Sequence, residues 1–240
     1  MRRSLIYFWR IHLAVLLGTA VATAALTGAL LVGDSVRGSL RDLTLDRLGQ
    51  IDYALVSERF FREELATDLS NEPAKEQFKE QFRDAVPAIL LSGAAINPNT
   101  KSRASHIQIH GIDQRFIALF AHAPDDRAAS LSERMGLIHQ TPFPPVVINE
   151  SLQRELNAKI SDPILISFEK QSDIHREFLL GSRTASDVVQ TLRFTPTQII
   201  PDRRLGRFGL RPHQNFPPNA YIDLPVLQEA IGQKGRVNAL

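Results

Sequence analysis

A chain of 240 residues with 43% hydrophobic and 22% charged residues has room and composition for one sizeable domain or two small ones. The formal net charge is +2, and removing Arg2, Arg3 and Arg10, which precede a long apolar run, leaves 25 basic residues against 26 acidic ones. A nucleic-acid binder carries its positive excess on the folded domain rather than on a short tip, so no nucleic-acid partner is expected.

Cysteine is absent, which excludes disulfide scaffolds, zinc-thiolate sites and thiol nucleophiles without fixing the compartment. Residues 13–33 read LAVLLGTAVATAALTGALLVG and carry no charge. As a helix, residues 13–32 would be about 30 Å long at ~1.5 Å per residue, the thickness of the hydrocarbon layer. Helix is the spanning option, because lipid offers backbone groups no partners. Tyr7, Phe8 and Trp9 stand where an interfacial aromatic belt would be. The arginines before the span, against a large following domain, predict a cytoplasmic N-terminus.

Two other readings compete for this segment. A cleaved signal peptide would use Ala22-Thr23-Ala24 as its cleavage site, but the apolar run continues eight residues past it, to Val32. A buried core helix is opposed by so long an uncharged run beside a basic tip. Within the span Gly18, Ala22, Ala25 and Ala29 recur at spacings of four, three and four, a small-residue face that lets a neighbouring helix approach closely.

Helical patterning continues past the span. Val36, Leu40 and Leu43 follow spacings of four and three, with Leu48 close to the same stripe. Gly33 and Gly38 each cost about 1 kcal/mol inside a helix, so a bend near the membrane surface is compatible with the pattern. A stalk and an amphipathic helix docked on its own domain fit this pattern equally. The expected organisation is a cytoplasmic tip over 1–12, a transmembrane helix over 13–33, a stalk over 34–50 and an extracytoplasmic domain over 51–240.

Gly49 stops the stalk. Residues 51–57 read as a buried strand, 59–66 and 75–85 as helices, and 87–96 as an extended apolar segment. The Asn97-Pro98-Asn99-Thr100 turn and the alternation from His106 to His110 make a hairpin. Residues 113–121 suit a short helix, followed by an irregular stretch to Pro145. Pro145 to Ile148 reads as a strand running into Asn149, an N-cap for the helix ESLQRELNAK. Residues 164–168 and 188–200 read as strands, 182–187 and 203–218 as loops, 220–224 as a strand and 226–231 as a helix. Strands and helices alternate irregularly, which predicts an α+β fold with a mixed sheet.

The chain contains no G-x-x-x-x-G-K-[ST] phosphate loop, no G-x-S-x-G elbow, no H-E-x-x-H and no EF-hand loop. His106 and His110 share the spacing of metal ligands on a helix, but on a strand they would stand about 13 Å apart at ~3.3 Å per residue, so both are read as a solvated strand face. Arg203, Arg204, Arg207, Arg211 and His213 make a basic segment, read as a solvated loop with an anionic ligand or lipid headgroup as the alternative. Asn149-Glu150-Ser151 matches a glycosylation sequon, though helix capping accounts for the asparagine. No catalytic residue, cofactor or metal site is expected, and no enzyme.

The anchor followed by ALLVGDSVRGSLRDLTLDRLGQIDYALVSERFF resembles ABC transporter permeases of the FtsX-like/MacB-like family. PPVVINESLQRELNAKI is similar to that family's strand-helix segment, and FPPNAYIDLPVLQEAIGQKGRVNAL to its strand, "leucine-glutamine" helix and the start of the next strand. The resemblance implies a periplasmic core domain over 51–240, incomplete here. It also implies a cell inner-membrane permease half that dimerises with a second copy or homologue. A separate cytoplasmic ABC ATPase would drive it, with the stalk relaying closure to the outer domain. Substrates would be lipoproteins, peptides, drugs or lipids. Further spans are expected after this domain, so the chain reads as the first part of a permease, truncated or split. The competing readings are a single-pass anchored sensor or envelope-assembly module and, weakest for want of a nucleophile-base pair, an anchored hydrolase.

Overall fold

The computed structural model describes residues 7–70, 84–120, 143–169, 189–211 and 216–240. The expected helix over 75–85 (save 84–85), the irregular stretch from 121 to 142, the loop over 182–187 and His213 lie outside them. Two compact units are present, Met1–Leu45 and Asp46–Leu240.

The first unit is helical. α1, Trp9–Leu48, runs unbroken through Gly33 and Gly38, so neither glycine interrupts it. None of its residues is buried. Its threonines return their hydroxyls to the helix: Thr19 Oγ1 donates to the Val15 and Leu16 carbonyls, Thr23 to that of Thr19, and Thr27 to that of Thr23 at 2.7 Å. Each polar group is thereby satisfied within the helix, the condition for placing it in lipid.

The second unit is α+β with a mixed sheet, as the irregular alternation predicts. Its elements are β1 (Val56–Arg62), α2 (Leu65–Ser70), β2 (Ile89–Ile96), β3 (Arg103–Ile112), α3 (Gln114–Ala118), β4 (Pro145–Asn149), α4 (Glu150–Leu156), β5 (Ile164–Glu169), β6 (Val189–Ile200), a 3₁₀ turn (Arg204–Arg207), β7 (Asn219–Asp223), α5 (Leu224–Ala230) and β8 (Arg236–Ala239). The first strand begins five residues later than the apolar pattern of 51–57 suggests, and it continues through Arg59 to Arg62, where a helix was expected. A strand runs over Arg236–Ala239 and pairs antiparallel with β1.

Six strands close into a barrel in the order β2-β3-β7-β4-β6-β5. The β3–β7 and β4–β6 pairs are parallel and the others antiparallel. All six strands contribute to one apolar cluster, including Ile89, Ile109, Ile148, Ile166, Phe194 and Ile222, and the interior is the face they all share. Leu152 and Leu156 of α4 and Leu224 and Leu227 of α5 join it. The alternate positions on the β3, β4 and β7 side, Ile112, Val147 and Tyr221, face a second cluster with Phe116, Phe120 and Phe208. The period of two along a strand divides the chain between these two cores.

A bulge sets that division in β3. Gly93 pairs with Ile107 and Ala94 with Ser105, leaving His106 without a partner at φ 59°. The extra residue reverses the alternation. Ala104 and Ile107, three apart, both enter the barrel core, and His106 is exposed while His110 is buried. The histidines therefore do not share a solvated face, and the expectation for His110 is corrected.

Candidate functional site

Four side chains from three strands, His110, Asn149, Asn219 and Tyr221, form a polar cluster inside the second unit, and each is at most 3% exposed. Asn149 ends β4 and caps α4, its Oδ1 accepting from the Leu152 amide at 3.0 Å, as its sequence position predicts. The same oxygen accepts from the Asn219 amide at 2.9 Å, and its Nδ2 donates to the Gly206 and Pro217 carbonyls at 2.9 and 2.8 Å. Both amide hydrogens are engaged and the residue is fully buried, so the folded chain does not present Asn149 for glycosylation.

Asn219 Nδ2 lies 3.3 Å from the Gly206 carbonyl, 2.9 Å from that of Phe208 and 3.0 Å from the Tyr221 hydroxyl. Tyr221 donates its own proton to the Leu205 carbonyl. Asn219 Oδ1 faces His110 Nε2 at 3.4 Å, which assigns the ring proton to Nε2, and His110 Nδ1 is buried without a partner. The imidazole stacks on Tyr221 at 5.0 Å and meets the edge of Phe208 at 5.1 Å. Burial lowers the His110 pKa to about 4 against a smaller opposing effect of Asn219, and burial raises that of Tyr221. Both stay neutral near pH 7. Closed off from solvent, the neutral phenol holds a main-chain carbonyl and the neutral imidazole the Asn219 side chain.

The carbonyls held by this cluster belong to the arginine-rich segment. Leu205, Gly206 and Phe208 are buried, so the segment is packed rather than a solvated loop. A Cβ on Gly206 would lie 2.0 Å from the Pro201 carbonyl oxygen, which excludes any side chain there. Arg204 takes φ 49°, a left-handed conformation costly for a residue other than glycine, and Arg207 lies over the Phe216 ring at 4.8 Å. Asp202 fixes the segment's start, accepting from the Ser151 amide at 3.0 Å, the Ser151 hydroxyl at 2.9 Å and Arg154 at 2.7 Å.

On the other side of the segment lies the last turn of α1, which belongs to the second unit from Asp46 onward. The Arg204 amide donates to Asp46 Oδ2 at 3.2 Å, and Arg47 Nη1 donates to the Arg211 carbonyl at 3.1 Å. Gly49 leaves the helix at φ 59°, and a Cβ there would lie 2.7 Å from the Leu119 carbonyl oxygen, which accepts from the Gln50 amide at 3.0 Å. Phe116, Phe120 and Phe208, with ring centroids 5.2 to 5.8 Å apart, fill the space behind these contacts.

Beside this joint lies a cavity of about 830 Å³, lined by Ile51, Val86, Leu90, Phe116, Phe208 and Leu210 among others. Asp52 and Asp84 also line it. No cluster of three or more metal-ligating side chains occurs among the described residues.

The residues singled out by sequence lie elsewhere. Gly18, Ala22, Ala25 and Ala29 sit on α1 with no described residue covering them, and the Gly18 position has open space around it. Val36, Leu40 and Leu43 are exposed, whereas Leu48 is half-buried. The cluster of Asn149, Asn219, Tyr221 and His110 escaped the sequence reading except for Asn149, because its members come from three strands and the bonds that join them across strands span 70 and 109 positions.

No protein-family model and no curated protein matches the chain. Among solved structures it is similar to the periplasmic region of MacB from Actinobacillus actinomycetemcomitans, with 12% identity and a TM-score of 0.40, over 78% of this chain and 70% of that one.

Proposed function

We propose that the chain is the N-terminal part of an ABC transporter permease subunit of the FtsX-like/MacB-like kind. In this reading a separate cytoplasmic ATPase is coupled, through α1, to the extracytoplasmic barrel domain. The task is export or extraction of a substrate such as a lipoprotein, peptide, drug or lipid. The tip 1–12 lies in the cytoplasm, 13–33 crosses the inner membrane and 34–50 is the stalk.

The observation that carries the reading is α1. Between Leu13 and Val32 nine large apolar side chains are each at least half exposed. Leaving them in water would forgo on the order of 15 kcal/mol of burial, as much as the whole stability of many domains. A bilayer supplies the missing cover. Forty helical residues extend about 60 Å at ~1.5 Å each, twice what the hydrocarbon layer needs, so half remains for a stalk. The resemblance of residues 29–61, 144–160 and 216–240 to the family supports the transport role. The small-residue face of Gly18, Ala22, Ala25 and Ala29 suits packing against a second permease copy or homologue.

The test is to read the natural coding sequence past codon 240 and reconstitute the full product with the ATPase encoded beside it. The proposal expects three further spans and an ATPase whose hydrolysis rate changes when the permease is present. A natural protein with α1 as its single span, leaving the ATPase rate unaltered, would contradict it. That outcome favours the second reading, an anchored sensor or envelope-assembly module, which the apolar cavity of the second unit supports as a ligand site.

A further inference from the structure

We propose that the segment from Pro201 to Arg211 is a coupling strut, thermodynamically linking the end of α1 to the buried Asn149–Asn219–Tyr221 cluster of the barrel. The proposal deepens the permease reading by naming the residues through which the helix end and the barrel sense each other.

The segment is bonded on both sides. On the helix side, Asp46 accepts from the Arg204 amide and Arg47 donates to the Arg211 carbonyl. On the barrel side, Tyr221 and the amides of Asn149 and Asn219 hold the carbonyls of Leu205, Gly206 and Phe208. Arg204 and Leu205 are adjacent, so the two sides take hold of the chain at neighbouring residues.

There is little slack between the two sets of bonds. The segment folds back through short bonds of its own, Gly206 amide to Arg203 carbonyl at 3.0 Å and Phe208 amide to Leu205 carbonyl at 2.9 Å. Gly206 has no room for a Cβ beside Pro201, and Phe208 is wedged against His110, Phe116 and Phe120. The left-handed Arg204 stays in that conformation because both sides hold it. A stiff element bonded at both ends passes a displacement on, and coupling of this kind is reciprocal. The sequence shows four arginines in this stretch, yet it is main-chain groups that make most of the connections.

Hydrogen exchange on the full chain in lipid nanodiscs, without any ATPase, tests the link apart from transport. Asp46→Ala should speed exchange of the Arg204 amide about tenfold, the size of one lost hydrogen bond. It should also speed Gly206, Phe208 and Asn219 about threefold to tenfold, although none of them touches Asp46. Tyr221→Phe should in turn speed Arg204 and Gln50, and the double variant should show less than the product of the single effects. Amides of Ile109 and Ile166 in the barrel report that the fold is intact. If Tyr221→Phe unfolds the barrel, Arg47→Ala compared with Asp46→Ala reads the same link from the helix side. The proposal is overturned if Asp46→Ala and Arg47→Ala alter exchange only at their direct partners, or if Tyr221→Phe leaves Arg204 and Gln50 unchanged.

Discussion

Replacing Asn149 with alanine removes four hydrogen bonds from one buried point. The helix cap on the Leu152 amide contributes about 1 kcal/mol. The Asn219 amide and the Pro217 carbonyl lose the partner Asn149 gave them, while Gly206 keeps a longer bond to Asn219. Each buried group left unsatisfied costs about 1 to 3 kcal/mol. Allowing for a water entering the vacated space, Asn149→Ala should lose about 4 kcal/mol of the second unit's stability, a large part of what a domain has. Urea unfolding of the full chain in detergent micelles, followed by far-ultraviolet circular dichroism, measures it. Asn149→Asp keeps both acceptors but loses both donors and sets a carboxylate against carbonyls, so it should be at least as destabilising at pH 7. A loss below about 1 kcal/mol for Asn149→Ala, the size of a cap alone, would refute the picture of a four-bond hub.

Burial holds His110 at about 4, below its ordinary 6.5, so between those values the unfolded chain binds more protons than the folded one. Stability from this group is present above pH 6.5 and falls as pH drops, by about 3 kcal/mol at pH 4, and His110→Phe should flatten that part of a pH-dependent unfolding curve. Val21→Arg, in the apolar half of α1, should cost about 3 kcal/mol of membrane insertion and shift the chain out of the membrane fraction, whereas Leu43→Arg should not. Gly206→Ala places a Cβ 2.0 Å from a main-chain oxygen and should lower the midpoint of urea unfolding by about 3 kcal/mol equivalent, while Gly232→Ala, with open space around it, should cost about 1 to 2 kcal/mol through its φ of 70° alone.

Much of this fold is local and therefore readable. The Asn97–Thr100 turn joins β2 and β3 as expected, with Asn97 and Thr100 both donating to the Leu156 carbonyl. Asn149 stands at a strand end with a helical pattern behind it, and it caps that helix. Closure of six strands into a barrel was not readable, because strand order rests on pairings such as β3 with β7, more than a hundred residues apart. The first strand was misplaced because Ile51, Tyr53 and Leu55 look like a buried strand, yet they lie along the cavity before β1 begins. The alternation from Ile107 to His110 holds, but the face His110 shares is covered by Phe208 and Tyr221 of a second core rather than by solvent, and that cover comes from residues about a hundred positions away. The arginine-rich segment looked solvated because its charges are conspicuous, whereas its carbonyls carry the structure.

The most direct test of the membrane account uses the absence of native cysteine, which allows single thiols to be placed without background. Ser4→Cys marks the tip, and Glu155→Cys marks an exposed position on α4. In cells with a permeable outer layer and an intact inner membrane, a membrane-impermeant maleimide should label Glu155→Cys at once and Ser4→Cys only after lysis. Equal labelling of both positions before lysis, or recovery of the chain in the soluble fraction, would contradict the account.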